Sequence, residues 1–132
     1  MSEQPGHGNG QRGSAALSAV AAFGVLLVFI TLLAQFVVWG YARAVVRSAA
    51  LEGARAAAPL EAPDGACDRR FESVRGGLLA GRLATQVSDV ECLIDEDLVT
   101  VRVEARLQRW LPISPDWDFT IEVVAVRERA PT

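Results

Sequence analysis

Two cysteines, Cys67 and Cys92, are the residues of this chain with the clearest capacity for chemistry. Their spacing is compatible with one disulfide bond, and disulfides persist outside the cytosol. Such a bond would stabilise the fold by roughly 3–4 kcal/mol in the chain-entropy model. Two buried free thiols are the alternative, because cysteine is also a common core residue. A zinc site is not expected, since two cysteines and one distant histidine cannot supply four ligands.

No catalytic arrangement accompanies the cysteines. The only histidine, His7, lies in a polar N-terminal segment, which excludes Ser/His/Asp and Cys/His arrangements. The acidic segment Asp95–Asp97 is typical of a solvated turn, because a cation site needs about six to eight oxygen donors. Asp116 and Asp118 flank Trp117, and nothing prepares either carboxyl group as a proton donor. We therefore expect a protein that is not an enzyme, with no cofactor and no metal.

A long apolar segment precedes all of these residues except His7. Gly13–Ala42 contains no charged residue, and Leu17–Val38 alone supplies the roughly 20 apolar residues that span a bilayer core. Trp39 and Tyr41 follow it, and amphipathic aromatic side chains favour the membrane–water interface. A buried core helix is one alternative, but the rest of the chain is too small to enclose it. A cleaved secretory signal is another, although its apolar region is usually only about 7–15 residues. The segment predicts a transmembrane helix over residues 14–42, with the lipid bilayer as partner.

The charge distribution bears on partners and on orientation. The net charge is −3, and Arg43, Arg47 and Arg55 follow the apolar segment while the C-terminal part is acidic. Nucleic acid is not expected as a partner, because phosphate binding needs clustered positive charge.

By the positive-inside rule these arginines would place the C-terminal part in the cytoplasm. A disulfide would instead place it outside the cytoplasmic membrane, with the N-terminus inside, and this second orientation is our expectation.

Helical patterns continue beyond the apolar segment. No helix breaker intervenes before Pro59, so one helix is expected to continue outside the membrane over residues 43–58. Its apolar stripe contains small and branched residues: Val45, Val46, Ala49, Ala50 and Ala57. A second helix is expected within residues 68–85, where apolar residues recur at helical spacing: Phe71, Val74, Leu78 and Leu79.

The C-terminal third changes to a period of two, which is typical of strands. Strands are expected over residues 87–94, 98–109 and 118–127, joined as an antiparallel meander with one apolar face. In the second strand this face consists of Val99, Val101, Val103, Ala105 and Leu107, and in the third of Phe119, Ile121, Val123 and Ala125. The two helices are the elements that can cover this face, so residues 59–132 are expected to form a small α+β extracytoplasmic head.

Three features of the N-terminal half occur together: Arg12-Gly13-Ser14 stands just before the apolar segment, an alanine-rich helix leaves it, and Ser48–Ala58 reads SAALEGARAAA. In these features the chain resembles TadE-like proteins, which are pilin-related components of tight-adherence (Flp-type) pilus and secretion systems. The segments VTVRVEARLQRWLPI and FTIEVVAVRE are similar to the C-terminal strands of that family. The resemblance covers most of residues 12–127. It implies a pilin-like fold, in which a long N-terminal transmembrane helix continues into a small head.

The resemblance also implies processing by a prepilin peptidase. In this class the peptidase cuts after a glycine at the cytoplasmic edge of the apolar segment. That glycine is Gly13, so the mature chain would begin at Ser14, and residues 1–13 would be a disordered cytoplasmic leader. Pilin-like families usually have Glu at the fifth mature position, where this chain has Ser18. Ser18 cannot form an ion pair with the N-terminus of a neighbouring subunit. A minor, tip or initiating subunit needs this pair less, and so does a protein that never polymerises.

Two sets of residues are candidates for contacts. Ser14, Ser18 and Ala22 recur every four residues, and small residues let membrane helices approach closely. Trp110 and Trp117 bracket a proline-containing loop, which is either a contact surface or the cap of a small core.

The expected function is therefore non-enzymatic. The chain would be a minor structural or assembly component of a tight-adherence type IV pilus or secretion system, with other pilin-like subunits and the pilus assembly machinery as partners. The alternative is a membrane-tethered extracytoplasmic binding module that does not enter a filament.

Overall fold

The computed structural model describes residues 10–79, 81, 86–108, 112–113, 116–129 and 131. Their elements are α1 (Gly10–Ala57), α2 (Ala66–Leu78), β1 (Val87–Ile94), β2 (Leu98–Leu107) and β3 (Trp117–Val126). The α+β layout predicted from the sequence is confirmed: a long apolar helix, a short helix and a three-stranded antiparallel sheet. The chain divides into two units, Met1–Val37 and Val38–Thr132. We call the described part of the second unit the head.

The first unit contains the exposed apolar part of α1. Within the described residues, α1 is the one helix long and apolar enough to cross a membrane. Its most apolar window of 18 residues has a mean hydropathy of 2.6, and none of that window is buried. Thr31 Oγ1 donates a hydrogen bond of 2.8 Å to the carbonyl oxygen of Leu27, so this hydroxyl group is satisfied within the helix, as an apolar environment requires. The predicted capacity to span a membrane is therefore confirmed.

In the head, the C-terminal half of α1 contributes one wall of the core. The five residues of the predicted apolar stripe are buried, and two further alanines, Ala42 and Ala54, extend it. The stripe is continuous because its members recur every three or four residues, which places them on one side of the helix. The helix ends at Ala57, before Pro59, whose ring and missing N–H group oppose further helical turns.

The sheet supplies the opposite wall. Its strand order is β1-β2-β3, and both pairings are antiparallel. Val101 of the central strand pairs with Cys92 of β1 and Val123 of β3, so these three side chains share the inner face. The predicted inner face of β2 is confirmed, since Val99, Val101 and Val103 are fully buried. The inner face of β3 is buried at Ile121 and Val123 and half-buried at either end.

The second helix is shorter than the sequence predicted. It ends at Leu78, and Leu79 has extended backbone angles (φ −106°, ψ 116°). The residues just before this end are Gly76 and Gly77, which favour the helix least apart from proline. Because the chain turns here, Leu79 enters the core, whereas Leu78 is 49% exposed. The predicted apolar face of this helix is therefore correct for Phe71 but not for Leu78. Part of the predicted helix, residues 80 and 82–85, lies outside the described residues.

One end of the sheet is joined to the C-terminal end of α1. After β3, the amide of Arg127 donates to the carbonyl oxygen of Asp97 at 2.9 Å. The next amide, that of Glu128, donates to the carbonyl oxygen of Ala58 at 3.0 Å. Arg129 also forms an ion pair with Asp97 at 3.0 Å. The β1–β2 turn therefore lies beside the end of α1, and the strands extend from there along the helix.

Gly53 of α1 allows α2 to approach closely. A Cβ atom at this position would lie 3.1 Å from the carbonyl oxygen of Cys67 and 3.5 Å from Cβ of Phe71. Phe71 is fully buried, and Cys67 nearly so. The glycine is therefore required by packing, although it weakens the helix by roughly 0.5–1 kcal/mol relative to alanine.

A pair of glycine substitutions tests this close approach. Gly76→Ala, in α2 with nothing within 4 Å of the added atom, is expected to raise the free energy of unfolding of the head by about 0.5–1 kcal/mol. Gly53→Ala has the same gain in helix propensity but is expected to raise stability less or to lower it, because the added Cβ presses on backbone. Urea unfolding in detergent micelles, followed by near-UV circular dichroism, measures both. Equal stabilisation by the two variants would contradict the packing role of Gly53.

Candidate functional site

The predicted bond between Cys67 and Cys92 is present. It joins α2 to the inner face of β1, with 6.4 Å between the two Cα atoms. The alternative of two free thiols is therefore wrong. The two sulfur atoms can bond because Cys67 lies in the first turn of α2, which faces the strand that carries Cys92. Helix α2 buries only two of its own residues, Cys67 and Phe71. The disulfide bond fixes this helix against the sheet.

An ionic bridge holds α2 to α1 beside this disulfide. The carboxylate of Glu52 accepts hydrogen bonds from Arg70 and from Arg55, both at 3.1 Å. The bond from Arg70 is the main reason why the pKa of Glu52 lies below its ordinary value, and desolvation opposes this shift. The pair is therefore complete at neutral pH and is lost only when acid protonates Glu52. Its contribution to stability is small, since the Arg70 side chain is half exposed.

Three aromatic side chains meet at the other end of the head. The ring centroid of Trp39 lies 5.6 Å from that of Trp117 and 6.3 Å from that of Phe119, the latter in an edge-to-face arrangement. The guanidinium group of Arg43, one helical turn from Trp39, lies 5.4 Å from the Trp39 ring centroid. We call Trp39, Trp117 and Phe119 the aromatic cluster. It closes the core at the end opposite the β1–β2 turn.

The aromatic cluster joins two residues for which the sequence predicted separate roles. Trp39 was expected at the membrane interface, and Trp117 in a loop. Trp117 instead begins β3 and pairs with Leu107, because the strand starts one residue earlier than predicted. Its packing on Trp39 agrees with the interpretation in which it caps the core. Trp110 lies outside the described residues.

Tyr41 connects α1 to the end of α2. Its hydroxyl group donates a hydrogen bond of 2.9 Å to the carbonyl oxygen of Leu78, the last residue of α2. Carbonyl groups in the last turn of a helix lack partners within the helix, so this bond satisfies one of them. The tyrosine was predicted as an interface residue, and it remains half exposed. The sequence showed no sign of this bond, because its partner is a backbone atom at a helix end that the periodicity did not locate.

The predicted processing residues lie within α1. The helix begins at Gly10, so residues 10–13 of the predicted disordered leader are helical, and Gly13 and Ser14 follow without a break. Of these four residues, Gln11 and Arg12 are good helix formers, whereas Gly10 and Gly13 are not. Ser14, Ser18 and Ala22 are exposed along one side of the helix. Their role in helix packing stays a prediction.

The outer face of the sheet is partly charged and partly apolar. Arg102 and Glu122 face each other across β2 and β3 at 2.9 Å, and this bond raises the pKa of Arg102. Nearer the β1–β2 turn the exposed side chains are apolar: Leu93, Leu98, Val124 and Val126. The alternation of residues in β2 predicted that its charged side chains lie on this face. It did not predict the four exposed apolar side chains, because they come together only when the three strands align.

The acidic residues are the remaining candidates for chemistry in the described residues. No group of three or more His, Cys, Asp or Glu in this part of the chain is arranged to hold a metal ion. In the acidic turn, the Asp95 carboxylate accepts a hydrogen bond from the amide of Glu96, and Asp97 is paired with Arg129. No family model, curated protein or solved structure matches the chain. The function is therefore inferred from the fold and from the residues themselves.

Removal of the Trp39 side chain tests the aromatic cluster. Trp39→Ala is expected to lower the free energy of unfolding of the head by about 2–4 kcal/mol, since two ring contacts are lost. Trp39→Phe keeps most of the ring packing and is expected to cost less than about 1.5 kcal/mol. Urea unfolding in detergent measures both, with Phe29→Ala as a control at an exposed position of α1. A Trp39→Ala variant as stable as that control would contradict the cluster's role in closing the core.

Loss of the disulfide is expected to destabilise the head substantially. Cys67→Ser with Cys92→Ser, or reduction of the natural chain, should lower the free energy of unfolding by about 3–4 kcal/mol. Unfolding curves with and without reductant measure the effect, and the double variant is the control because reductant should not change it. A loss below about 1 kcal/mol would mean that the ion pair and core contacts suffice to hold α2.

Proposed function

We propose that this chain is a TadE-like, pilin-related membrane protein that acts as a minor structural or assembly component of a tight-adherence type IV pilus or secretion system. The observation that carries the proposal is the continuity of α1. One helix of 48 residues begins with an exposed apolar part and ends as the core of the head. A pilin-like subunit is expected to have this organisation, in which the helix that anchors the chain also contributes to the core of the head.

The exposed part of α1 suits an anchor that also packs against other helices. Its apolar side chains are open to lipid or to neighbouring subunits, as at Val20, Phe23 and Val25, which are 72%, 61% and 71% exposed. Small residues at Ser14, Ser18 and Ala22 would permit close approach of a second helix on one side. Both features agree with a subunit that is held in a bilayer before it joins a larger assembly.

The proposed orientation places the N-terminus in the cytoplasm and the head outside the cytoplasmic membrane. The disulfide supports this orientation, because the cytosol keeps thiols reduced. The proposal also assigns Gly13 and Ser14 to the cleavage site of a prepilin peptidase, at the cytoplasmic edge of the apolar segment.

Ser18 favours a minor or initiating role over incorporation into the shaft. A buried glutamate at this position would be costly in lipid unless it formed an ion pair with a neighbouring N-terminus. A serine neither incurs that cost nor supplies that pair. The subunit is therefore suited to a position in the assembly where it makes one contact of this kind with a neighbouring subunit, or none.

The second candidate function is a membrane-tethered binding module that does not enter a filament. The outer face of the sheet favours it, because the apolar side chains of Leu98, Val124 and Val126 lie exposed beside the Arg102–Glu122 pair. Apolar residues next to charged ones are common at protein contact surfaces.

Intact mass of the native protein extracted from its membrane tests the proposal. We expect a chain that begins at Ser14, and an increase of about two mass units on reduction of the disulfide. Gly13→Leu is expected to give the full-length chain, since a large side chain replaces the residue before the proposed cleavage point. The same full length is expected when the prepilin peptidase is deleted. A natural chain that keeps residues 1–13 would contradict processing and favour the tethered module, and retained pili and adherence after gene deletion would exclude a pilus role.

A further inference from the structure

Strand β3 lies at one edge of the sheet, because the strand order is β1-β2-β3. Backbone bonding alternates along an antiparallel pair, so every second residue of β3 points its N–H and C=O groups away from β2. The hydrogen bond from the amide of Arg127 to the carbonyl oxygen of Asp97 fixes which residues these are, and the odd-numbered residues of β3 bond to β2. Five even-numbered residues direct their backbone groups away from β2: Asp118, Thr120, Glu122, Val124 and Val126. We call the backbone groups of these five residues the free edge.

The chain itself shows that backbone groups on this side of β3 bond to a partner where one is present. Glu128, the next even-numbered residue after β3, donates its amide to the carbonyl oxygen of Ala58 at 3.0 Å. From Asp118 to Val126, no backbone partner of this kind bonds to the free edge within the part of the chain that the structure describes. The free edge therefore offers a row of donors and acceptors to an added strand.

The free edge lacks three common protections against strand addition, which are a bulge, a proline and a short strand. β3 contains no proline, is ten residues long and pairs with β2 without a register shift. The other edge strand is different, since β1 has a register shift between Val87 and Asp89 and is bonded to α2 through Cys92. Of the two edges, that of β3 is the one suited to a partner.

The charges beside the free edge favour a basic partner. Asp118 and Glu122 are the charged residues of β3, and both are exposed acids. Glu122 bonds to Arg102 of β2 and raises its pKa most, and the charges of Glu91 and Glu104 add to this effect. One guanidinium group thus faces three carboxylates, which leaves an excess of negative charge on the outer face. A second copy of β3 would bring only further acids, so charge disfavours pairing between two copies of the chain.

The central strand β2 shows which side chains suit β3. Three pairs on the outer face match opposite charges or apolar side chains: Arg102 with Glu122, Arg106 with Asp118, and Leu98 with Val126. The even-numbered residues of β2 bond to β1, as the hydrogen bond from the amide of Asp95 to the carbonyl oxygen of Leu98 indicates. A strand of the same sequence on the other side of β3 would therefore turn these backbone groups towards the free edge and keep the same side-chain pairs.

We infer that the free edge binds an extended segment of another polypeptide, which joins the sheet as a fourth, antiparallel strand. This segment carries arginine or lysine opposite Asp118 and Glu122, and apolar side chains opposite Val124 and Val126. In such strand addition the backbone hydrogen bonds provide affinity and the alternate side chains provide specificity. The inference goes beyond the proposed function, since a filament subunit and a tethered module could both bind a partner in this way.

A peptide with the sequence of β2, LVTVRVEARL, is the probe for this site. It is blocked at both ends and labelled with a fluorophore, and its anisotropy is measured during titration with the full-length chain in detergent micelles, with empty micelles as background. A charge-reversed peptide carries Arg102→Glu, Glu104→Arg and Arg106→Glu. Two further peptides are methylated on one backbone nitrogen, either at the position of Glu104, whose N–H would face β3, or at that of Val103, whose N–H would face solvent.

The inference predicts that the β2 peptide and the peptide methylated at the position of Val103 bind. Charge reversal, or methylation at the position of Glu104, should weaken binding at least about tenfold, because ion pairs or a backbone hydrogen bond are lost. Hydrogen exchange measured by NMR should slow at the amides of Thr120 and Glu122 when the β2 peptide binds. The amide of Ile121 should change little, since it already bonds to β2.

Variants of the chain at one position of the free edge provide an independent test. Thr120→Pro removes an N–H that points away from β2, a position at which edge strands tolerate proline, and should weaken binding at least about tenfold. Thr120→Ala is the matched control, because it changes the same side chain but keeps the N–H, and should bind like the natural chain. Near-UV circular dichroism verifies the fold of both, and the methylated peptides decide the question on the natural chain if the proline variant does not fold.

The inference is overturned if the β2 peptide does not bind at millimolar concentration, or if the two methylated peptides bind equally well. Equal binding of the charge-reversed peptide would overturn the basic character assigned to the partner. Slower exchange at the amides of Thr120 and Glu122 as the concentration of the chain alone rises would identify a second copy as the occupant and overturn a different partner. Each of these results is separate from cleavage after Gly13, on which the test of the proposed function depends.

Discussion

The packing of a valine-rich sheet face on a stripe of small residues in α1 is the interaction on which the rest of the head depends. Val46, Ala49 and Ala50 are fully buried on the helix, and Val99, Val101 and Val103 are fully buried on the central strand. Alanine lets a sheet approach a helix closely, and branched valines fill the space between them without many rotamers to lose. The same helix also carries the exposed apolar segment, so one wall of the core is continuous in sequence with the proposed anchor. Any change that melts the second half of α1 would remove that wall.

The smaller helix needs additional attachments because it buries little. Cys67 and Phe71 are its only buried residues within the described range of α2, which is a modest apolar contact for a separate element. Close approach at Gly53, the disulfide to β1, the ion pair of Glu52 with Arg70 and the hydrogen bond from Tyr41 act on the same short helix. Of these the disulfide acts largely by restricting the unfolded chain, so it remains effective where surface charges are screened.

Periodicity predicted the elements whose faces are strongly one-sided, and it failed where a contact depends on distant residues. The alternation in β2 located its buried face, and the stripe from Val45 to Ala57 located the helix surface beneath it. The end of α2 was predicted too late, because Phe71, Val74 and Leu78 keep helical spacing through Gly76 and Gly77, and spacing carries no information on where a glycine pair ends the helix. The contact of Trp39 with Trp117 was not predicted either. Residues so far apart in the chain meet only once the sheet is aligned along α1.

The contacts of the arginines bear on the proposed orientation. Counted by position, Arg43, Arg47 and Arg55 favour a cytoplasmic head. Two of the three contact other side chains within the head: Arg43 lies over the Trp39 ring, and Arg55 bonds to Glu52. Such contacts form within the fold whichever side of a membrane it occupies. The arginine count is thus weakened as an argument for a cytoplasmic head, whereas the disulfide depends directly on the compartment. The balance of the two supports an extracytoplasmic head.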